Sequence, residues 1–277
     1  MKHRTFDLGS LSMHAVEAGE GPLVLLLHGF PACWYSWKDL IEPLSRHFRV
    51  VAPDLRGYNL SDRPKGVHHY TTDALGEDIA RLVRALGETR AHIVGHDWGG
   101  ALTWSLASTR PNLVDKVAVL NCPHPAAMLR HLRTNRRQLK RSWYIMFFQL
   151  PRLPEWVFSR RQSQFVKFAF AARRGTFEAE DLERYREAIF APGALTAAIN
   201  YYRAAGRQLL APVKYPPIAA PSLLIWGERD KALGKELTFG MERYFSGDYR
   251  VEYLDAGHWV HNEQPERVLE LLGNFLT

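Results

Sequence analysis

Short apolar runs recur along the chain and are separated by segments of helical periodicity. The run "LVLLL" closes at "HG", which is typical of a strand buried on both faces. The earlier segment "LSMHAVEAG" alternates apolar and polar positions and ends in a glycine, which predicts a strand running into a turn. Similar patterns predict five further strands, at "RVVAPDL", "AHIVG", "KVAVLN", "SLLIWG" and "RVEYLDAG".

The segments between these strands carry apolar residues at helical spacing. "TTDALGEDIARLVRALG" begins with Thr and Asp and stops at a glycine, as helices commonly do. Other helices are predicted at "SWKDLIEPLSRHF", "GGALTWSLASTR" and "PERVLELLGNFL". Strands that alternate with helices predict an α/β fold whose central sheet is mostly parallel and has helices on both faces.

The alternation stops between about Pro123 and Pro217, where the pattern predicts helices only. An insertion between two sheet strands lies over the carboxyl ends of the strands, which is where open α/β sheets bind ligands. We therefore predict a core over residues 1–123 and 218–277, with an inserted helical cap over residues 124–217.

Composition narrows the class of protein only slightly. The 277 residues suit one large α/β domain with an insertion. The net charge is +7, and the densest basic run is "RHLRTNRRQLKRSW", which we interpret as a solvated cap surface. Contact with an anionic membrane remains an alternative interpretation of this run. Nucleic acid is not an expected partner, because no supporting fold or aromatic platform accompanies the charge.

The cysteines and the length of the apolar runs indicate the cellular compartment of the protein, and the spacing of its histidines bears on whether it binds a metal. Cys33 and Cys122 match no metal or redox spacing, so we expect a reducing, cytoplasmic environment. No apolar run is long enough for a targeting segment or a membrane span. His258 and His261 are spaced like possible ligands, but no third ligand accompanies them, so neither a metal nor another cofactor is expected. The oligomeric state is left open.

Residues 94–100 read "VGHDWGG" and follow a predicted strand. The framing matches the G-x-S-x-G turn that raises a catalytic serine between a strand and a helix, but Asp97 stands in the serine position. A carboxylate has a reference pKa of about 4 and is ionised at neutral pH. It can displace a leaving group from saturated carbon and become an ester itself. This position predicts a nucleophile rather than an ordinary helix-capping aspartate.

Hydrolysis of such an ester requires a histidine, an acid and donors for an oxyanion. The late segment "DAGHWVH" supplies His258, and "LLIWGERD" supplies Asp230 at the end of the preceding strand. The segment "HGFP" can direct the Phe30 N–H at the site, and the Trp98 N–H is the second predicted donor. The chain order of nucleophile, acid and histidine is that of α/β-hydrolases.

Several motifs in order resemble the soluble-type epoxide hydrolases of the α/β-hydrolase superfamily. They are "HGFPACWYSW", "APDLRGYNLSD", "VGHDWGGALTW", "FFQLP", "PGALTAAINYYR" and "AGHW", and they span nearly the whole chain. The resemblance implies an α/β-hydrolase fold with a helical cap, and hydrolysis of a small lipophilic epoxide by water to a vicinal diol. It implies Asp97 as nucleophile, Asp230 as orienting acid and His258 as base, with Tyr144 and Tyr202 as proton donors to the epoxide oxygen.

The family pattern also selects Asp230 over two neighbouring candidates for the acid. Glu228 lies on the same predicted loop and is interpreted as a solvated side chain. Asn121 ends an earlier strand, where some relatives keep their acid, but an amide cannot serve as one.

For both Tyr144 and Tyr202, the helical geometry leaves open whether the side chain faces the cavity. Tyr201 and Tyr202 lie about 100° apart on a helix, so only one is expected to face the cavity. If one continuous helix carries Tyr144, Arg137 and Lys140 share its face. Either that helix bends, or the cationic groups extend past the pocket edge to water.

The pocket wall is predicted to include His28, Pro31, Trp98 and Trp259. Cys33 follows the oxyanion segment and either lines the pocket or fills a buried space, of which the second is favoured.

Two other functions remain as alternatives. A haloalkane dehalogenase uses the same nucleophile and His–acid pair, and the Trp98 indole N–H is a possible halide donor. Halide leaves without a proton, however, so that reaction does not need two phenols. A catalytically idle ligand receptor on the same fold is the third interpretation, and the intact triad argues against it.

Overall fold

The computed structural model describes residues 1–208 and 214–277. In these residues the strands are β1 (Lys2–Asp7), β2 (Ser12–Ala18), β3 (Leu23–Leu27), β4 (Arg49–Pro53), β5 (Ala91–His96), β6 (Val114–Leu120), β7 (Ser222–Gly227) and β8 (Tyr249–Leu254). They form one sheet in the order β1-β2-β4-β3-β5-β6-β7-β8. The pairs β1–β2 and β2–β4 are antiparallel, and all later pairs are parallel. The predicted mostly parallel sheet is confirmed.

All seven predicted strands are present, and β1 is the one that the sequence pattern did not predict. Of its six residues only Phe6 is buried, because β1 lies at the sheet edge and is mostly exposed. An edge strand with one buried side chain shows neither an apolar run nor a buried alternation, so its sequence carries little signal.

The same residues contain twelve α-helices. These are α1 (Lys38–Leu44), α2 (Thr72–Ala85), α3 (Trp98–Thr109), α4 (Pro125–Thr134), α5 (Arg136–Arg141), α6 (Trp143–Phe147), α7 (Leu153–Ser159), α8 (Gln162–Ala169), α9 (Ala179–Phe190), α10 (Ala194–Gln208), α11 (Val260–Glu263) and α12 (Pro265–Leu276). The helix predicted at "PERVLELLGNFL" matches α12, whereas α1 is shorter than predicted and ends at Leu44. None of the helices described is both long and apolar enough to cross a bilayer.

Both faces of the sheet are covered by packed side chains. In β3, Leu25 and Leu27 belong to the cluster formed with α2, α3 and the cap helices. Val24 and Leu26 point to the opposite face and pack in the cluster that contains residues of α1 and α12. A strand buried on both sides needs apolar residues at every position, which explains the continuous run "LVLLL".

The helices α4–α10 lie between β6 and β7, and the described part of this region contains no strand. The limits of the cap at residues 124 and 217 stay a prediction. The cap helix α10 is joined to the core by a buried polar contact: the Tyr201 hydroxyl donates to the Arg56 carbonyl oxygen at 2.7 Å. The Arg56 side chain is itself paired with Asp78 of α2, with Nε to Oδ2 at 2.7 Å. These contacts connect α10 to the core.

Candidate active site

Asp97 lies at the sharp turn between β5 and α3, with φ of 51° and ψ of −118°. Glycines on both sides make this turn possible. A Cβ at Gly95 would lie 2.4 Å from the Gly99 carbonyl oxygen, and a Cβ at Gly99 would lie 2.0 Å from the Leu27 carbonyl oxygen. No side chain fits at such distances, so the strand, the turn and the helix approach closely only because both positions are glycine. The strained Asp97 backbone is held by this packing.

The two carboxylate oxygens of Asp97 have different surroundings. The Phe30 N–H donates to Oδ1 at 2.8 Å, and the Trp98 backbone N–H also donates to the carboxylate. The other oxygen, Oδ2, lies 3.7 Å from Nε2 of His258. Burial raises the pKa of Asp97 above its ordinary value, although His258 and the two N–H donors act in the opposite direction. The structure thus places the Phe30 N–H and the predicted base at opposite oxygens of one carboxylate, to which the Trp98 N–H also donates.

Asp230 accepts hydrogen bonds on both of its oxygens. Nδ1 of His258 donates to Oδ2 at 2.7 Å. The backbone N–H groups of Ala232 and Leu233 donate to Oδ1 at 2.8 and 2.9 Å. Burial alone would raise the pKa of Asp230, but His258 and the other donors lower it below its ordinary value. Asp230 is therefore a fixed anion that orients the imidazole and keeps its Nδ1 protonated.

The charge of His258 depends on the carboxylates around it. Burial works against the imidazolium, but Asp230, then Asp97 and finally Glu263 favour it, and together they raise the pKa of His258 to about 9. At neutral pH the resting site therefore holds a protonated histidine between two carboxylates.

The two other acid candidates occupy different positions. Glu228 is exposed and forms an ion pair with Lys235, away from His258. Asn121 is buried and contributes to the site in a way that the sequence analysis missed: its Nδ2 donates to Asp230 Oδ2 at 2.9 Å. Its own side-chain oxygen accepts from the Gly227 N–H at 2.9 Å. The sequence carried one indication of this role: Asn121 follows β6, and β6 is adjacent to β7, the strand that precedes Asp230.

Tyr144 and Tyr202 line the same cavity of about 270 Å³ as Asp97. Their rings are 5.9 Å apart and nearly perpendicular. Burial, and then the negative charge of Asp97, raise the pKa of each phenol well above its ordinary range, so both are protonated donors at neutral pH. Tyr201 points instead toward the core and donates to a backbone carbonyl. Of the adjacent pair, Tyr202 is the one at the cavity.

A break in the cap helix resolves the position of Tyr144. The helix α5 ends at Arg141, and α6 begins at Trp143 after Ser142 with φ of −87° and ψ of 16°. Because of this bend, Tyr144 lies against the cavity while Arg137 and Lys140 are exposed to solvent. The first of the two alternatives, a bent helix, is the observed one.

The predicted pocket wall needs correction at three of its four positions. Trp98 lines the cavity, but His28, Pro31 and Trp259 are not among the described residues that do. His28 is fully buried, with Nε2 accepting from the Leu55 N–H at 3.0 Å and Nδ1 facing a backbone carbonyl. Trp259 is 1% exposed and donates to the Ala169 carbonyl at 3.0 Å. Pro31 is buried as well. These side chains support the site from within the core.

The wall is instead formed largely by α4, which the sequence analysis did not assign to it. Met128, Leu129 and Leu132 face the cavity, together with Cys122 just after β6. The spacing of the three α4 residues marks an apolar stripe on an otherwise basic helix, and this stripe was the available signal. Cys33 is a buried core residue, as favoured, and does not belong to the described lining.

The histidines near the site pack against one another through their rings, with centroids 4.7 Å apart for His96 and His258 and 4.6 Å apart for His96 and His261. His96 Nε2 contacts the His258 carbonyl oxygen at 2.9 Å, and His261 stacks on Trp37. In the part of the chain that the structure describes, no group of three His, Cys, Asp or Glu side chains is placed to hold a metal ion.

Comparison with known proteins shows which family the chain resembles in sequence. The model for the alpha/beta hydrolase fold family matches residues 22–265. The AB hydrolase superfamily protein YfhM of Bacillus subtilis is 39% identical over 100% of this chain and 98% of its own length. Epoxide hydrolase 4 of Mus musculus is 38% identical over 96% of this chain and 76% of its own length.

Solved structures agree with these relatives. An epoxide hydrolase of Bacillus megaterium in complex with an inhibitor superimposes with a TM-score of 0.90 at 32% identity, covering 99% of both chains. A mutant of the Bacillus megaterium enzyme, complexed with its product (R)-3-[1]naphthyloxy-propane-1,2-diol, gives a TM-score of 0.91.

Proposed function

Since the chain belongs to the epoxide hydrolases of the α/β-hydrolase fold family, we propose that it converts small lipophilic epoxides to vicinal diols through an ester of Asp97. One observation carries the proposal: a carboxylate in the nucleophile position shares a cavity with the two phenols of Tyr144 and Tyr202. The rest of the lining is mostly apolar, which suits a lipophilic substrate. Water is the second substrate.

In the first step, Oδ2 of Asp97 attacks a ring carbon of the epoxide, and the bond from that carbon to the epoxide oxygen breaks. The electron pair of the broken bond stays on the oxygen, which takes a proton from one phenol while the other phenol donates a hydrogen bond to it. The raised pKa of Tyr144 and Tyr202 keeps both protons in place until this moment. The product of the step is a hydroxyalkyl ester of Asp97.

Formation of the ester changes His258 from an acid to a base. The resting imidazolium is favoured in part by the negative charge of Asp97, which the ester no longer carries. His258 can then return its proton to the phenolate through water. Neutral His258, oriented by Asp230, takes a proton from a water molecule that attacks Cγ of Asp97.

In the second step, the negative charge develops on Oδ1. This oxygen already accepts the Phe30 N–H in the resting site, and the Trp98 N–H is the second donor. The Phe30 donor therefore needs no reorganisation when the tetrahedral intermediate forms. Collapse of the intermediate breaks the bond from Cγ to Oδ2 of the ester, and the leaving oxygen of the diol takes the proton from His258. The proton that remains on the new Asp97 carboxyl group then passes to neutral His258, which restores the carboxylate and the imidazolium of the resting site.

The dehalogenase alternative is less well supported. The Trp98 indole, which that reaction would use for the halide, hydrogen-bonds to the Tyr202 phenol. We also propose a reducing, cytoplasmic location, which the free cysteines Cys33 and Cys122 support.

The experiment is to trap the ester. His258→Gln should be alkylated by styrene oxide and should keep the adduct, because hydrolysis needs the base. Intact-protein mass spectrometry should show a gain of one substrate mass, and the matched double variant His258→Gln/Asp97→Asn should show none. An unmodified His258→Gln protein after long incubation would contradict the proposed two-step reaction. Release of bromide from 1-bromobutane, without diol from styrene oxide, would favour the dehalogenase.

A further inference from the structure

Positive charge is strongly segregated into one part of the cap. Residues 124–177 contain twelve Arg and Lys and a single acidic residue, Glu155, although the whole chain has a net charge of only +7. The remainder of the chain therefore has more acidic than basic residues. Glu155 is itself paired with Arg203 of α10 at 2.7 Å, so it does not neutralise the exposed cations.

Exposed apolar side chains are concentrated in the same region. Eleven large apolar side chains are well exposed in the described residues, and seven of them lie between residues 139 and 168. These are Leu139, Trp143, Met146, Leu150, Leu153, Trp156 and Phe168, which are 42–71% exposed. We call the exposed side chains of residues 136–168 the cap surface. A patch of this kind on a single chain commonly marks an interaction site.

The helices that carry the cap surface are packed against one another. The Phe147 ring of α6 lies 5.8 Å from the Phe158 ring of α7, and Phe158 lies 4.4 Å from Phe165 of α8. The Arg160 guanidinium stacks over the Trp156 ring at 4.6 Å. Cationic and apolar groups are thus interleaved on adjoining helices rather than separated.

The chemistry of the cap surface favours a lipid surface over other partners. Arg136, Arg137 and Lys140 form no ion pair with any described residue, so their charges are free to meet anions. Aliphatic side chains such as Leu139 and Met146 do not stack on nucleic acid bases, but they do enter the interface of a bilayer. A second copy of the chain would bring like charges together. An anionic bilayer offers phosphates and an apolar phase side by side.

We propose that the cap surface docks on the anionic face of a lipid bilayer. The short helix α6 connects this surface to the cavity: Tyr144 and Ile145 line the cavity, while Trp143 and Met146 are exposed. Docking therefore places the cavity beside the phase in which lipophilic molecules accumulate. The inference concerns binding alone and does not depend on the proposed function.

The test is co-sedimentation of the intact protein with vesicles of phosphatidylcholine, with or without phosphatidylglycerol. Binding should require phosphatidylglycerol. It should weaken when salt is added, because salt shortens the range of the electrostatic attraction between the protein and the vesicle. The triple variant Arg136→Gln, Arg137→Gln and Lys140→Gln should bind on the order of a hundredfold more weakly, because each cation near such a surface contributes about fivefold.

A matched triple variant removes the same charge from elsewhere on the surface. Lys2→Gln, Arg46→Gln and Lys65→Gln replace three exposed cations outside the cap, none of them in an ion pair with a described residue. This variant should bind as the wild type does. An equal loss in both triple variants would assign the binding to net charge and overturn the proposed surface.

The apolar contribution is tested at Trp143, which is 55% exposed. Trp143→Ser should weaken binding at all salt concentrations, whereas Phe239→Ser, at a 56% exposed position outside the cap surface, should leave it unchanged. The far-ultraviolet circular dichroism spectrum and the thermal unfolding midpoint of every variant should match those of the wild type, which shows that each is folded.

Three further results would overturn the proposal. The first is an absence of sedimentation with phosphatidylglycerol vesicles at low salt. The second is a dimer in light scattering that the Arg136, Arg137 and Lys140 triple variant dissociates, which would assign the surface to a second copy. The third is tighter binding of an oligonucleotide or of polyglutamate than of vesicles, which would assign it to a nucleic acid or an acidic protein.

Discussion

Replacement of Asp97 by Asn should lower the pKa of His258, because it removes one of the charges that favour the imidazolium. Asn has nearly the same shape as Asp and keeps an oxygen for the Phe30 N–H, so the turn is preserved. The variant also imitates the ester, which is likewise neutral. The titration of His258 in this variant therefore reports the state in which the histidine acts as a base.

The size of the effect follows from the distance between the two charges. Nε2 of His258 lies 3.7 Å from Oδ2 of Asp97, and both side chains are about one-sixth exposed. Two unit charges at this separation interact by roughly 1–4 kcal/mol for effective dielectric constants between those of water and a protein surface. One pKa unit corresponds to about 1.4 kcal/mol, so the pKa of His258 should fall by about 1–3 units from its value of about 9. A fall of about two units raises the neutral fraction at pH 7 from about one in a hundred to about one half.

The assay is an NMR titration of the His258 ring in the wild type and in Asp97→Asn. Glu263→Gln is the matched control, because it also removes a carboxylate that favours the imidazolium, but the one with the weakest effect. Its shift should have the same sign and be smaller. An unchanged or higher pKa of His258 in Asp97→Asn would refute the idea that loss of the Asp97 charge releases the base.

Two further variants test the proton donors and the turn. Tyr144→Phe and Tyr202→Phe should each retain one phenol, while the double variant should lose about 10²–10⁴ in kcat/KM for epoxides; near-normal turnover would remove the assignment. Gly99→Ala should destabilise the fold by at least about 3 kcal/mol in denaturant unfolding, because its Cβ would meet the Leu27 carbonyl oxygen at 2.0 Å. Gly273→Ala, where no atom lies within 4 Å of the added Cβ, should instead stabilise α12 by about 0.5–1 kcal/mol; equal effects would refute the steric argument.

The sheet and the nucleophile were predictable because their signals are local. A strand buried on both faces needs an uninterrupted apolar run, and "LVLLL" has one. The turn at Asp97 needs glycines within a few residues of it, because backbone atoms approach there, and these glycines are visible in "VGHDWGG". The exposed edge strand β1 lacks such a signal and was not predicted.

The wall of the cavity was less predictable because it depends on contacts between distant segments. His28 and Trp259 are close in sequence to site residues, but their polar nitrogens are turned toward backbone carbonyl or N–H groups inside the core. Asn121, by contrast, belongs to the site although its amide cannot act as the acid. The pairing of β6 with β7 places its side-chain amide in contact with Asp230, and this pairing is not visible in the sequence. Proximity in sequence is a poor guide to which side of a packed element a side chain faces.

The bend before Tyr144 shows what a periodic pattern can and cannot decide. The spacing of Arg137, Lys140 and Tyr144 identified a conflict on one helix face, which was correct for a continuous helix. It did not show where the helix breaks, because Ser142 has no strong effect on helix formation. Packing of Tyr144 against the cavity on one side and solvation of the cations on the other explain the bend.

The most direct measurement of the covalent route is a single turnover in water enriched in ¹⁸O, with enzyme in excess over epoxide. If water attacks Cγ of the ester, one oxygen of the Asp97 carboxylate should become labelled, and the released diol should carry no label. Mass spectrometry of the peptide that contains Asp97 reads the first result, and mass spectrometry of the diol reads the second. Label in the diol with none in Asp97 would mean that water attacks the epoxide directly, and it would contradict the covalent ester.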